Sequence, residues 1–319
     1  MSEVARGSEI VVRLRGQAGA ALSPSLELYR PREVVRVALG RPPREFLRIL
    51  PLLFPLCGTA HAVAALRAIE DAGAVQVSPM QQLARRVVCL ADALAAHAWR
   101  AEFDWPALSG DAGHPLRVAA ARRATDGLVR ALYPDADLLT PGGGRLAPAP
   151  GFAAHWSAAL RDVSAALELD RHLASLQRAM PAAMAGADPG WLSRLQTRFR
   201  VVAAQARADA HALLGSLPAL DGAQAPASPT VALDDGIGEG RVDTARGELA
   251  YRVVLRQGRV VDCALEAPID RVFGTAGEAA GWLAALDRAA RPQAAARWVV
   301  AALDPCAPVR VEQEALADA

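Results

Sequence analysis

The sequence predicts a mainly helical α+β fold with a small antiparallel sheet, and three observations predict it. Apolar residues recur at helical spacing through the long middle of the chain. Toward each end the pattern switches to the alternation of paired strands. At 319 residues, 52% of them hydrophobic and 22% charged, the chain can bury a sizeable core.

In chain order, Glu9 to Arg15 alternates Ile10, Val12 and Leu14 with polar neighbours, and Ser25 to Tyr29 does so again, so a hairpin with Gly16 to Ser23 as its loop is expected. Pro31 opens a helix-like segment to Leu39, stopped by Gly40-Arg41-Pro42-Pro43. A helix from about Arg44 runs into the breaks at Pro51 and Pro55 and delivers the chain to Cys57. Val63, Leu66 and Ile69 then mark a helix with Thr59 as its N-cap and Gly73 as its stop. Cys57 thereby stands just ahead of a helix and His61 in its first turn, where the helix dipole favours a thiolate.

Ser78-Pro79 opens a long helix with Leu83, Val87, Leu90, Leu94 and His97 on one stripe, ending near Phe103-Asp104-Trp105-Pro106. His97 and Cys89 read there as core residues. A further helix spans about Pro115 to Leu132. The glycines from Thr140 to Gly151 form a connecting loop, since the Gly-Lys-Ser/Thr of a phosphate loop is absent. Two long amphipathic helices follow, about Gly151 to Met180 and Pro189 to Leu217. Residues 216–240 are rich in Pro, Gly, Ala and Ser and read as a linker. Leu249, Tyr251, Val253 and Leu255 alternate, Gln257-Gly258 turns the chain, and Val260 to Leu265 alternates back. A helix from about Ala276 to Ala290 and an apolar segment, Trp298 to Leu303, lead to Asp304-Pro305-Cys306. Glu312 to Ala319 read as a mobile tail.

The organisation is thus one domain: hairpin and helices over 1–138, a helical middle over 151–217, a flexible linker over 218–240, a hairpin and helix over 241–312, and a tail over 313–319. The two hairpins are expected to join in one sheet. The helices around Ala62 and Leu94 should pack at its centre, with the Cys306 turn closing over the Cys57 helix.

A formal net charge of +1 gives no electrostatic case for nucleic acid or an anionic membrane. Every basic side chain is Arg, which reflects base composition. The four cysteines form no Cys-x-x-Cys pair, so neither a disulfide scaffold nor a structural zinc site is expected. The polar N-terminus lacks a signal-peptide core, and Pro51, Pro55, Gly58 and His61 interrupt the one long apolar run, so a cytoplasmic protein is expected.

Cys57 with His61, and Asp304-Pro305-Cys306, resemble the two cysteine motifs of nickel-iron hydrogenase large subunits, Cys-x-x-Cys-x-x-x-His and Asp-Pro-Cys-x-x-Cys. Phe54 stands where the first motif has its other cysteine, and Val309 where the second has its last. Asp243-Thr244-Ala245-Arg246-Gly247 resembles that family's Glu-Ala-Pro-Arg-Gly, with Ala245 in place of the proline. The resemblance covers roughly residues 40–110 and 240–312. A short relative with one cysteine per motif resembles the HupK/HoxV type of hydrogenase assembly protein. That resemblance implies a non-catalytic scaffold in which Cys57 and Cys306 transiently hold an Fe(CN)2CO fragment, with His61 nearby and Arg246 donating to cyanide. Nickel is not expected, since half the thiolates are missing. Accessory proteins of the HypC/HypD type would load the iron unit, and the hydrogenase large-subunit precursor would receive it. Glu312 stands where the family has the His of its maturation cleavage site, so no C-terminal processing is expected. The alternative is a metal-free chaperone in which both cysteines are core residues. The iron reading requires the two sulfurs to lie within about 4 Å of each other, given metal-sulfur bonds of roughly 2.3 Å.

Overall fold

The computed structural model describes residues 9–16, 23–29, 32–187, 189–228, 233–275, 277–286 and 289–314. β1 (Glu9–Arg15) and β2 (Ser23–Tyr29) form the expected antiparallel hairpin. The other edge of β1 is taken by β6 (Val309–Glu314), which pairs parallel to it in the order β2-β1-β6. Two expectations are corrected here. Residues 312–314 lie in a strand and not in a tail, while 315–319 fall outside the described residues. The N-terminal hairpin also does not join the later one. Val11 is as buried as Ile10, Val12 and Leu14, so β1 is a central strand that needs a partner on each edge, and β6 supplies the second.

A separate antiparallel sheet comprises β3 (Gly236–Thr244), β4 (Gly247–Arg256) and β5 (Arg259–Glu266). β4 and β5 are the expected hairpin. β3 lies at the end of the stretch read as a linker, because its glycines look like breakers in a sequence. They are the reason the strand fits. A Cβ on Gly236, Gly238 or Gly240 would come within 2.1 Å of Ala72 O, Ala72 N or Ala64 O. The bare strand therefore lies directly on the alanine face of α2 (Gly58–Ala72).

α1 (Pro43–Leu53) and α2 meet at a sharp turn, and α3 (Pro79–Trp99) begins on Ser78, whose Oγ accepts from Gln81 N at 3.2 Å. α2 ends at Gly73 as expected, but its N-cap is Cys57 and not Thr59. A π-helical turn at Arg100–Asp104 joins α3 to α4 (Trp105–Ser109), and α5 (Pro115–Leu132) follows. The glycine loop after α5 is better anchored than a flexible connection. Arg85 pairs with Glu70 at 2.6 and 2.8 Å inside the core, and Glu70 also accepts from Gly142 N at 2.7 Å.

The helix expected from Gly151 to Met180 breaks into α6 (Phe152–Ala166) and α7 (Leu169–Ala183). Glu168 has φ +43° at the break, where Arg117 Nη1 donates to Ala166 O at 3.1 Å and to Glu168 Oε2 at 2.9 Å. α8 (Pro189–Ser216) is the second long helix. α10 (Glu278–Ala284) is a shorter form of the helix expected from about Ala276 to Ala290, with residues 276, 287 and 288 outside the described set, and α9 (Pro268–Phe273) precedes it where no helix was expected. α11 (Pro292–Leu303) ends the helical series. Among the described residues no helix is long and apolar enough to cross a membrane.

Close packing of β3 on α2 sets the first prediction. Gly238→Val places two methyl groups against the backbone of Ala68 and Ala72, and should cost about 3 kcal/mol or more of unfolding free energy in a denaturant titration. An unchanged denaturation midpoint would refute the direct strand-on-helix contact.

Candidate functional site

Three chain turns converge on one cavity of about 390 Å³. The first runs from the end of α1 through Phe54-Pro55-Leu56 to Cys57, with Cys57 N donating to Phe54 O at 3.3 Å. Gly58 makes the turn possible, since a Cβ there would lie 2.6 Å from Pro51 Cα. The second is the Ala245-Arg246 turn between β3 and β4. The third follows α11, where Asp304 adopts φ +53° and redirects the chain into Pro305-Cys306. All four residues singled out in the sequence, Cys57, His61, Arg246 and Cys306, line this cavity.

The Cys57 thiol is hydrogen-bonded to the Cys306 sulfur, and the geometry differs from the expected thiolate. That hydrogen bond, then burial, pushes the Cys57 pKa well above its ordinary value, against a smaller downward pull from Arg246. The dipole of α2 is outweighed. Without an electrophile between them, Cys57 stays protonated beside the Cys306 sulfur, since two adjacent anions would repel.

Arg246 is oriented by Asp304. Its Nε donates to Asp304 O at 3.1 Å and lies 3.2 Å from Asp304 Oδ2, while neither terminal amino group has a partner among the described residues. Arg100 holds the same carboxylate, with Nε donating to Oδ1 at 2.7 Å and Nη2 to Oδ2. Burial pushes the Asp304 carboxyl upward, yet the two guanidiniums hold it below the usual carboxylate range. Arg100 Nη1 donates to His97 Nδ1 at 2.7 Å. A guanidinium can only donate, so the His97 proton sits on Nε2, which donates to Asp209 Oδ2 at 2.7 Å. His97 is thus a satisfied buried histidine, as expected, and also a link in a chain from α8 to the cavity.

His61 is buried and its imidazole is enclosed. Nδ1 is 2.7 Å from Tyr251 Oη, and the Phe54 ring stacks on it with centroids 3.7 Å apart and planes 6° from parallel. Among the described residues no group of three or more His, Cys, Asp and Glu side chains is placed to hold a metal ion. The cavity offers two sulfurs, one guanidinium and one carboxylate, that of Asp92, against walls that include Leu53, Phe54, Ala93, Ala96 and Leu249.

Sequence reasoning missed Asp92, which lines the same cavity from α3. Its Oδ2 accepts from Ala60 N at 3.4 Å, and Oδ1 is 3.7 Å from Arg122 Nη1. Burial raises its pKa to about 6. The only signal was an aspartate on the long helix between Ala91 and Ala93, where a surface stripe gives way to the core. Cys89, raised to about 12 by burial, behaves as the core thiol expected of it.

No family model matches the chain. The hydrogenase expression/formation protein HupK of Azotobacter vinelandii is 31% identical over 342 residues, covering 94% of this chain and 97% of that protein. HupV of Azotobacter chroococcum mcd 1, described in the same terms, is 28% identical over 351 residues with the same coverage. The fold matches the Ni-Fe-Se hydrogenase of D. vulgaris Hildenborough in its reduced state, with a TM-score of 0.70 at 13% identity over 94% of this chain and 98% of that one. It also matches the reduced, active Ni-Fe-Se hydrogenase of Desulfomicrobium baculatum, with a TM-score of 0.69 at 12% identity over 92% and 95%. At such identities the likeness shows the fold, which is that of hydrogenase large subunits: mainly helical α+β.

Asp92 gives this site a pH signature. Its folded pKa of about 6 lies above its ordinary value of 3.8, so its contribution to stability is greatest below pH 3.8 and is lost as pH rises through 6. Asp92→Asn keeps the acceptor for Ala60 N. It should raise stability at pH 7.5 relative to pH 4 by about 2 kcal/mol more than in wild type. Parallel stability-pH curves for the two proteins would show that Asp92 is not buried as described.

Proposed function

The chain belongs to the HupK family of hydrogenase expression/formation proteins, and on that footing we propose that it is a non-catalytic carrier for the Fe(CN)2CO fragment of a nickel-iron centre. The observation that carries this reading is the convergence of Cys57 and Cys306 on one cavity bordered by Arg246, the two close enough to hydrogen-bond. Two sulfurs already this close need little rearrangement to bridge one iron, and little chain entropy is spent in bringing them together.

The charges are consistent with this cargo. A ferrous ion with two cyanides and a carbonyl is neutral, so two thiolates leave the complex with two negative charges in a half-buried site. The Arg246 guanidinium offsets part of this, and its unengaged amino groups suit the nitrogen ends of cyanide. Apolar residues along the rest of the wall suit a carbonyl ligand, which accepts hydrogen bonds poorly. Loading releases the thiol protons, so it is favoured as pH rises.

Phe54 and Val309 remove the other two thiolates of the family pattern, leaving a set too small for a binuclear centre. A carrier must release what it binds, and two sulfurs hold iron less firmly than four. His61 is better suited to shaping the wall than to ligating, since Tyr251 and Phe54 already engage it. The iron unit would come from accessory proteins of the HypC/HypD type and pass to the hydrogenase large-subunit precursor, which fits the hydrogenase-formation role in the relatives' names.

Infrared spectroscopy tests the reading on protein purified without oxygen from cells carrying the accessory genes. Wild type should show one carbonyl and two cyanide stretches, and Cys57→Ala and Cys306→Ala should show none. A wild-type spectrum without these bands, with hydrogenase formation still dependent on the protein, would replace the carrier with a metal-free chaperone.

A further inference from the structure

A second cavity, of about 520 Å³, adjoins the first. The two share Cys89, Thr244, Ala245, Arg246, Pro268, Ile269 and Cys306, so the Ala245-Arg246 turn and Cys306 are part of the wall between them. Their mouths are on different elements. The exposed rim of the first includes Pro55 and Pro308, at the start of α2 and just before β6. That of the second includes Arg86 on α3 with Val201, Gln205 and Ala208 on α8.

Resting on the carrier reading, we propose that the second cavity is the unloading door, and that its ligand is a cysteine-bearing segment of the receiving protein. Iron bridged by Cys57 and Cys306 can be approached from the α8 side without displacing the α1-α2 turn. The transfer step is a ligand exchange without change of oxidation state. The incoming cysteine sulfur bonds to iron as its proton leaves, the iron bond to the Cys306 sulfur breaks, and Cys306 takes up that proton as a thiol. Repetition at Cys57 frees the unit.

The lining suits an anionic sulfur. Arg86 has no acceptor among the described residues, and Arg198 Nε is buried without one although its Nη2 reaches Glu278 at 3.3 Å. Two of the carboxylates on this wall are already engaged, Asp209 by His97 and Gln205 and Asp304 by Arg100 and Arg246. Asp243, the third, is exposed on β3. Asp209 also begins the chain through His97 and Arg100 to Asp304 and Arg246, so a segment seated in this cavity touches the group that orients the cyanide-binding guanidinium.

The test loads wild type, Ala208→Trp, Arg86→Glu/Arg198→Glu and Pro308→Trp in cells carrying the accessory genes. Each is mixed without oxygen with purified large-subunit precursor, and the infrared bands are followed in both proteins after separation. Ala208→Trp plugs the second mouth at an exposed helical position, and the arginine pair supplies an independent lesion if that variant misfolds. Both should carry wild-type bands but pass them to the precursor about tenfold more slowly or less. Pro308→Trp should instead lower loading. Wild-type transfer from both second-cavity variants overturns the door while leaving the carrier reading intact. Absence of bands from wild type overturns the carrier reading and the door with it.

Discussion

Everything at the cavity depends on one buried carboxylate shared by two guanidiniums. Asp304 is nine-tenths buried, and so are the side chains of Arg100 and Arg246. Taking three charges out of water costs several kcal/mol each, which is recovered only when geometry and hydrogen bonding are good on all sides. Here Arg100 grips both oxygens, Arg246 takes a carboxylate and a carbonyl oxygen of the same residue, and His97 absorbs the remaining strong donor of Arg100. Three chain segments far apart in sequence, the π turn after α3, the β3-β4 turn and the end of α11, are held in one register. The left-handed backbone at Asp304, costly for a residue with a Cβ, is sustained by the same contacts.

From that register the chemistry of the thiol pair follows. Asp304 precedes Cys306 by two residues, so fixing its side chain fixes where the Cys306 sulfur can point. α2 begins at Cys57 because Gly58 can lie against Pro51, and the two sulfurs then meet. A helix N-terminus alone favours a thiolate. A second sulfur within hydrogen-bonding reach and little water reverse this, because two adjacent anions repel. Cys57 therefore rests as a thiol beside the cationic Arg246.

Much of this was legible in the sequence because strong local signals agreed with the fold: apolar stripes placed α3, α5 and α8, alternation placed β1, β4 and β5, and the resemblance of the motifs at Cys57, Arg246 and Cys306 to those of hydrogenase large subunits pointed to one site. What escaped depended on distant contacts. β3 was hidden because glycine reads as a breaker unless the alanine face of α2 is known to press on it. The parallel pairing of β6 with β1 joins residues about three hundred apart, which no local pattern reports. The break at Glu168 is held by Arg117 from another helix. Asp92 was overlooked because its burial is a property of the packed molecule.

Phe54 shows how a lost ligand reshapes a site instead of leaving a hole. An aromatic ring in place of a thiolate cannot bind metal, but it can lie flat on an imidazole, and the 3.7 Å stack on His61 does so. Tyr251 fixes the same imidazole from its edge, so His61 is held between two aromatic neighbours. A smaller residue at 54 would leave that face of His61 open to water or to a second metal. The phenyl group instead makes this wall apolar and limits the donors around the sulfur pair. On the carrier reading, weak holding of one iron unit is a matter of what the wall withholds as much as of what Cys57, Cys306 and Arg246 provide.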